Sequence, residues 1–160
     1  MKKMLQDAGF DELDRSILEE LQRNGRISNA DLARKIHLSQ PAVHNRIKRL
    51  EKRGVIHQYV TLLDREIIGY DLLCLVYLDM EEHSPKRWAA FQESILEMPE
   101  VLECYRITGE YDVVMKVLMM DRTHLDMFLH DTVTNLPNVL RVKSDVVINE
   151  LKSSTAISLK

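Results

Sequence analysis

Residues 28–54 read SNADLARKIHLSQPAVHNRIKRLEKRG, and the fold of the first part of the chain turns on this stretch. Ser28 is suited to cap a helix: its hydroxyl can take a free N–H of the first turn, while Asp31 favours the positive helix end. Leu32, Ala33 and Ile36 then fall on one face of a helix of about two turns. The chain turns at His37 and Leu38. Ser39 caps a further helix, Pro41 sits in its first turn where a missing N–H does no harm, and Gly54 ends it. Within it Val43, Ile47 and Leu50 stand at i, i+4 and i+7, which makes one buried stripe. The other positions must face outward, and they include Arg46, Lys48, Arg49, Lys52 and Arg53 against the single acid Glu51.

Working outward, Asp11 precedes a run in which Leu13, Ile17, Leu18 and Leu21 recur at helical spacing, with Gly25 expected as a left-handed C-cap. Three helices therefore come first, and the last two form a helix-turn-helix, an arrangement that sets its second helix in the major groove of DNA. Ser39, Gln40, His44 and Asn45 lie near the start of that helix and are expected at the duplex, the latter three at base edges, where amide side chains pair with adenine. Arg46, Lys48, Arg49, Lys52 and Arg53 are expected as phosphate clamps, which position without specifying. Charge agrees. Residues 1–65 carry 13 Lys+Arg and 9 Asp+Glu, a balance of +4, whereas residues 66–160 carry 9 and 16, a balance of −7. The first half suits a polyanion and the second does not.

After a strand-like linker around Ile56 to Leu63, the pattern changes. Asp71 to Met80 is rich in Leu, Val and Tyr and reads as a strand. Ser84 and Pro85 open a helix carrying Trp88, Phe91, Ile95 and Leu96, which stops before Pro99. Val101 to Thr108 and Asp112 to Met119 read as strands about a short Gly109-Glu110-Tyr111 connection. Thr123 to Leu136 places Leu125, Phe128, Leu129 and Val133 on one helix face, and Pro137 and Asn138 close it before a last strand, Val139 to Leu151. The order is βαββαβ, the split βαβ or ferredoxin-like arrangement with two helices on one face of an antiparallel sheet. The fold class is α+β: a three-helix, winged-helix-like helix-turn-helix at 1–58, a linker at 59–68 and the ferredoxin-like domain at 69–160. Leu72, Leu73, Cys74, Leu75 and Val76 run without alternation, so the face away from the helices also needs a cover. A second copy of the sheet, in a two-fold homodimer, is the economical one.

Composition narrows the class further. Hydrophobic residues at 45% and charged residues at 29% describe an ordinary folded domain rather than a disordered chain. The start, MKKMLQDAGF, holds no apolar run of signal-peptide length, and charges interrupt the other apolar stretches well short of about 18 residues. A cytoplasmic protein without a membrane partner is expected. Cys74 and Cys104 lie in apolar strands far from any Cys-x-x-Cys spacing and read as buried thiols, with no metal and no cofactor site.

The stretch from Leu13 to Tyr59, LDRSILEELQRNGRISNADLARKIHLSQPAVHNRIKRLEKRGVIHQY, resembles the Lrp/AsnC family of leucine-responsive and asparagine regulators. Its most telling pieces are Asn24 to Ser28, Leu38-Ser39, Arg46, Arg49 to Glu51 and Gly54 to Ile56, and the likeness runs on to the end of the chain. His37 departs from it, since the family usually has Gly before Leu-Ser. The resemblance implies a DNA-binding transcription regulator that is a homodimer, often assembled further to an octamer, and modulated by an amino-acid effector. It also implies that Thr108, Gly109, Glu110, Tyr111 and Asp112 form the family's Thr-Gly-x-x-Asp effector loop, with Thr134 and Ser144 nearby. The chemistry fits: Gly109 lets backbone N–H groups approach a ligand carboxylate, Asp112 can meet an ammonium group, and Thr108 adds a hydroxyl. Val113 stands where the family usually has Tyr.

Two other classes share this outline. Siroheme decarboxylases resemble the same two-part architecture, but His124 and His130 lie six apart, off metal-ligand spacing on a helix, and the basic third helix would lack a purpose. Bound tetrapyrrole would show as a visible absorption band. An RNA binder would use paired aromatics on its strands, and only Tyr105 and Tyr111 are available there.

Overall fold

A computed structural model describes residues 9–159. The leading MKKMLQDA, part of the start inspected for a targeting signal, and Lys160 lie outside the described residues. The chain divides into two compact units, Met1–Leu62 with Lys152–Lys160, and Leu63–Leu151. In space residues 152–159 group with the helices. Gln22 joins them there, its Nε2 donating to the Ile157 carbonyl at 3.0 Å and its Oε1 accepting from the Ile157 N–H at 2.6 Å.

The first unit is built from α1 (Glu12–Arg23), α2 (Asn29–Lys35) and α3 (Gln40–Lys52). Each has a side-chain N-cap. Asp11 takes the N–H of Asp14 in a full capping box, Ser28 takes that of Asp31, and Ser39 takes that of Ala42. Ile17, Leu32, Ala33, Val43 and Leu50 form a closed core, with Ile47, Ile36, Leu21 and Phe10 packed around it. The turn between α2 and α3 rests on His37, whose φ of 55° is left-handed. Glycine adopts that conformation without the strain a Cβ brings. Gly54 (φ 71°) ends α3 and lets the N–H of Val55 reach back to Leu50.

Gly25 is not the left-handed cap expected of it. The C-cap is Asn24, in extended conformation at φ −148°, and its side-chain oxygen takes the N–H of Arg26, so an Asx turn does the work assigned to glycine. The linker around residues 56–63 forms no strand either, and among the described residues the first unit contains helices only. A lone extended segment without a partner has no ladder to join.

The second unit is a four-stranded antiparallel sheet in the order β2-β3-β1-β4, with β1 at Leu72–Met80, β2 at Val101–Arg106, β3 at Val113–Met119 and β4 at Val139–Val146. Helix α4 (Pro85–Leu96) and the segment that begins as α5 (Arg122–Met127) cover one face. Cys74, Val76, Leu78 and Met80 of β1 and Val113, Met115, Val117 and Met119 of β3 meet Phe91, Ile95, Phe128 and Val133 in one core. Leu96 lies outside it, 75% exposed. Cys74 is buried and Cys104 half-buried, both free thiols, and burial pushes both up from their ordinary ionisation range. The opposite face presents Leu75, Tyr77, Val114, Lys116 and Leu118, by the pairing of β1 with β3.

Two elements stop short of expectation. The second helix is α only to Met127, then opens into a π turn at Phe128–Thr132 and tightens to a 3-10 turn at Val133–Asn135. There Thr134 Oγ1 donates to the His130 carbonyl and Asn135 Nδ2 to that of Asp131, side chains competing for the carbonyls that a regular helix would use. Strand β4 ends at Val146 because its partner β1 runs out: Val146 pairs with Cys74, and the last bond, from the Val147 N–H to the Leu73 carbonyl, comes near the start of β1.

Candidate functional site

Helix α3 stands with Val43 and Leu50 fully buried and its other faces open. Ser39, Gln40, His44, Asn45, Lys48, Arg49, Lys52 and Arg53 are exposed, as a duplex-facing surface requires. Ser39 is also the helix cap, at 3.3 Å from the Ala42 N–H. The His44 ring shares a hydrogen bond with the Asn29 amide of α2 at 3.3 Å, which ties the two helices of the motif together near the helix start. Among the described residues Asn45, Lys48 and Lys52 make no side-chain hydrogen bond or ion pair. The one acid on the helix, Glu51, accepts the Tyr59 hydroxyl at 3.1 Å. Burial and that carboxylate together push the Tyr59 phenol up to about 12.

Arg46, expected as a phosphate clamp, is engaged within the protein. It is 23% exposed, and its Nη1 donates to Asp11 Oδ2 at 2.7 Å and to Asp14 Oδ1 at 2.8 Å. These two bonds hold its guanidinium above the ordinary arginine range, against the opposing pull of desolvation. Arg49, half exposed, donates from Nη2 to Asp14 Oδ2, and Arg53 donates from Nη1 to the Gly9 carbonyl at 3.1 Å while lying over the Phe10 ring. Asp14 itself is fully buried. The sequence reading placed Asp11 only as the residue before the first helix and passed over Asp14; the Asp-x-x-Asp spacing of the capping box was the available signal.

In the second unit the loop 107–112 closes the β2-β3 hairpin, with the Ile107 N–H on the Asp112 carbonyl at 2.9 Å. Gly109 has φ 139°, a conformation that other residues rarely adopt, with nothing within 4 Å of where a Cβ would stand. Tyr111 packs between Tyr77, at 5.4 Å between centroids, and the Arg141 guanidinium at 4.8 Å. Arg141 also bonds Asp79 at 2.7 Å and approaches Glu110 at 3.8 Å. Asp112 Oδ2 accepts the Met80 N–H at 2.8 Å, which pins the loop to the end of β1, while Oδ1 lies 3.9 Å from His83 Nε2. Thr108 and Glu110 are exposed beside it. Thr134 and Ser144 are not brought into this cluster by any hydrogen bond: Thr134 bonds back to its own turn, and Ser144 sits on the edge strand opposite Val76. Val113 is buried in the helix-facing core. Among the described residues no group of three or more His, Cys, Asp or Glu is placed to hold a metal ion, and no helix is long and apolar enough to cross a membrane.

Comparison with known proteins places both halves. Residues 10–57 match the winged helix-turn-helix DNA-binding family and residues 73–157 match the Lrp/AsnC ligand binding domain. The leucine-responsive regulatory protein of Haemophilus influenzae is 36% identical over the whole chain and 98% of its own length. A transcriptional regulator of Neisseria meningitidis, solved as its L-Met complex, superposes with a TM-score of 0.89 at 30% identity, covering 93% of this chain and 96% of that one. An AsnC family transcriptional regulator of Agrobacterium tumefaciens gives 0.88 at 32% identity, covering 93% and 97%. Fold and site thus define a DNA-binding transcription regulator with a separate ligand-binding domain. The chain belongs to the Lrp/AsnC family.

Proposed function

We propose that the protein acts as a homodimer, or an assembly of dimers such as an octamer, that sets two copies of α3 into successive major-groove half-sites. The half-sites lie about one helical turn or a multiple apart. An amino acid bound beside the loop 107–112 shifts the population of assemblies or helix spacings, and does so only through its differential affinity for them.

The observation that carries the DNA reading is the outward face of α3, where Asn45, Lys48 and Lys52 are exposed and unpaired among the described residues. In this reading Gln40, His44 and Asn45 meet base edges, while Lys48, Arg49, Lys52 and Arg53 meet phosphates and Ser39 sits at the backbone. The effector reading is supported by the match to a ligand-binding domain and by the L-Met complex of the Neisseria relative. Asp112 Oδ1, which lies 3.9 Å from His83 Nε2 and takes no backbone N–H, meets the ammonium group in this reading, with Thr108, Gly109, Glu110 and Tyr111 in the same loop. Thr134 and Ser144 enter this site only from another element or another copy. Dimerisation is supported by the sheet face of Leu75, Val114 and Leu118, which a second copy covers. The protein works in the cytoplasm, without catalytic activity, metal or cofactor.

Two substitutions test the DNA assignment. Asn45→Ala relaxes preference among sequences selected from a random duplex library, whereas Lys52→Ala weakens all duplexes alike and lowers the salt slope by about 0.9. Equal loss of preference from both would refute the division of roles. For the effector, a screen of the amino acids by thermal shift identifies the ligand, and Asp112→Ala removes its stabilisation. An unchanged shift would exclude Asp112.

A further inference from the structure

The approach to α1 lies along one side of α3. Arg46, Arg49 and Arg53 stand at i, i+3 and i+7 and all turn toward it, to Asp11, Asp14 and the Gly9 carbonyl. Lys48 and Lys52 point elsewhere and are exposed. Arg46 is therefore held by two carboxylates and largely covered, Arg49 and Arg53 stay exposed while bonded within the protein, and Lys48 and Lys52 are left to the duplex.

The two carboxylates differ in what the fold demands of them. Asp14 is fully buried, and a carboxylate so placed must be paired, which fixes an arginine whether DNA is present or not. Asp11 is 51% exposed. It needs no charge to cap α1, because asparagine caps as well as aspartate. Its charge nonetheless sits on Arg46 and cancels part of the field that α3 offers to phosphate. Charge on a DNA-facing helix raises affinity for every sequence alike, so an acid placed there suppresses binding to unrelated DNA.

We propose that Asp11 and Asp14 form an electrostatic brake on α3: Arg46 is a strut between α1 and α3 rather than a phosphate contact, and Asp11 sets how weakly the protein binds unrelated DNA. The inference rests on α3 facing the duplex. A wild-type protein with no salt slope at all would mean that this reading, and not the brake, has failed.

The test uses the full-length protein, a mixed-sequence duplex and the duplex enriched from a random library, with affinity measured from low to moderate salt. Asp11→Asn keeps the cap and frees Arg46 from one partner. Its affinity for the mixed-sequence duplex rises, by up to about 8-fold at 0.1 M salt for one added phosphate contact, and its salt slope steepens by up to about 0.9. Arg46→Gln leaves the wild-type salt slope unchanged, and in the double variant the gain from Asp11→Asn disappears. Unchanged mixed-sequence affinity in Asp11→Asn would overturn the proposal, and so would a slope shallower by about 0.9 in Arg46→Gln. If Arg46→Gln does not fold, Asp11→Asn alone decides.

Discussion

Leu50→Ala tests how α3 is held in the first unit. Leu50 is fully buried, in a core made with Ile17, Leu32, Ala33 and Val43. Truncation removes three carbons at about 0.8 kcal/mol each, roughly 2.4 kcal/mol of transfer free energy. The partly relaxed void adds about 1–2 kcal/mol, so the expected loss is about 3.5–4.5 kcal/mol. That is comparable with the whole stability of a unit of about 60 residues. The assay follows from the composition: the single tryptophan, Trp88, lies in the second unit, so its fluorescence reports that unit, while far-ultraviolet circular dichroism reports both. In urea the helical signal of Leu50→Ala is lost at much lower denaturant, DNA binding disappears with it, and the tryptophan midpoint stays where it was. A tryptophan transition that moves by the same amount would refute the independence of the two units. No movement in either signal would refute the place of Leu50 in the core.

His37→Gly relieves a left-handed backbone at φ 55° and should stabilise the first unit by several tenths of a kcal/mol, the relief of about 1 kcal/mol being partly offset by the looser unfolded chain; a loss of stability in urea melts would contradict this. Gly25→Ala and Gly109→Ala should differ in sign. Gly25 has no positive φ and meets only ordinary contacts at 3.8 Å, so alanine gains up to about 1 kcal/mol by stiffening the unfolded chain, whereas Gly109 at φ 139° loses about 1–3 kcal/mol to backbone strain. Circular dichroism reads the first and tryptophan fluorescence the second. Burial pulls the Asp11 carboxyl up, but the Asp14 N–H and the Arg46 guanidinium outweigh it and hold the carboxyl below its ordinary value of 3.8. A group depressed in the folded state stabilises above its unfolded value and loses that contribution as pH falls through the folded one. The first unit should therefore weaken below about pH 4, and Asp11→Asn should flatten part of that decline in thermal melts.

Local signals were the legible ones. Asp11, Ser28 and Ser39 each cap the next turn, so their sequence neighbours sufficed to place three helices. The order of strands and helices, and the hairpin at Gly109, followed from periodicity and turn residues in the same way. What escaped is set by partners distant in the chain. Arg46 read as an outward cation, yet it meets Asp14 across 32 positions, and only the packing of α1 on α3 brings them together. The last strand is expected to run to Leu151 but stops at Val146, where β1 no longer pairs with it. The 152–160 segment carries no pattern that announces Gln22 as its anchor. At the loop 107–112 the sequence supplied the residues, while the bond from the Met80 N–H to Asp112 depends on the hairpin closing onto β1.

The most direct measurement is the affinity of the full-length protein for duplexes from a random library as salt is raised. Log affinity should fall steeply and linearly with log salt, together with a clear preference among sequences. Affinity that ignores salt, or that treats every duplex alike, would contradict the DNA reading.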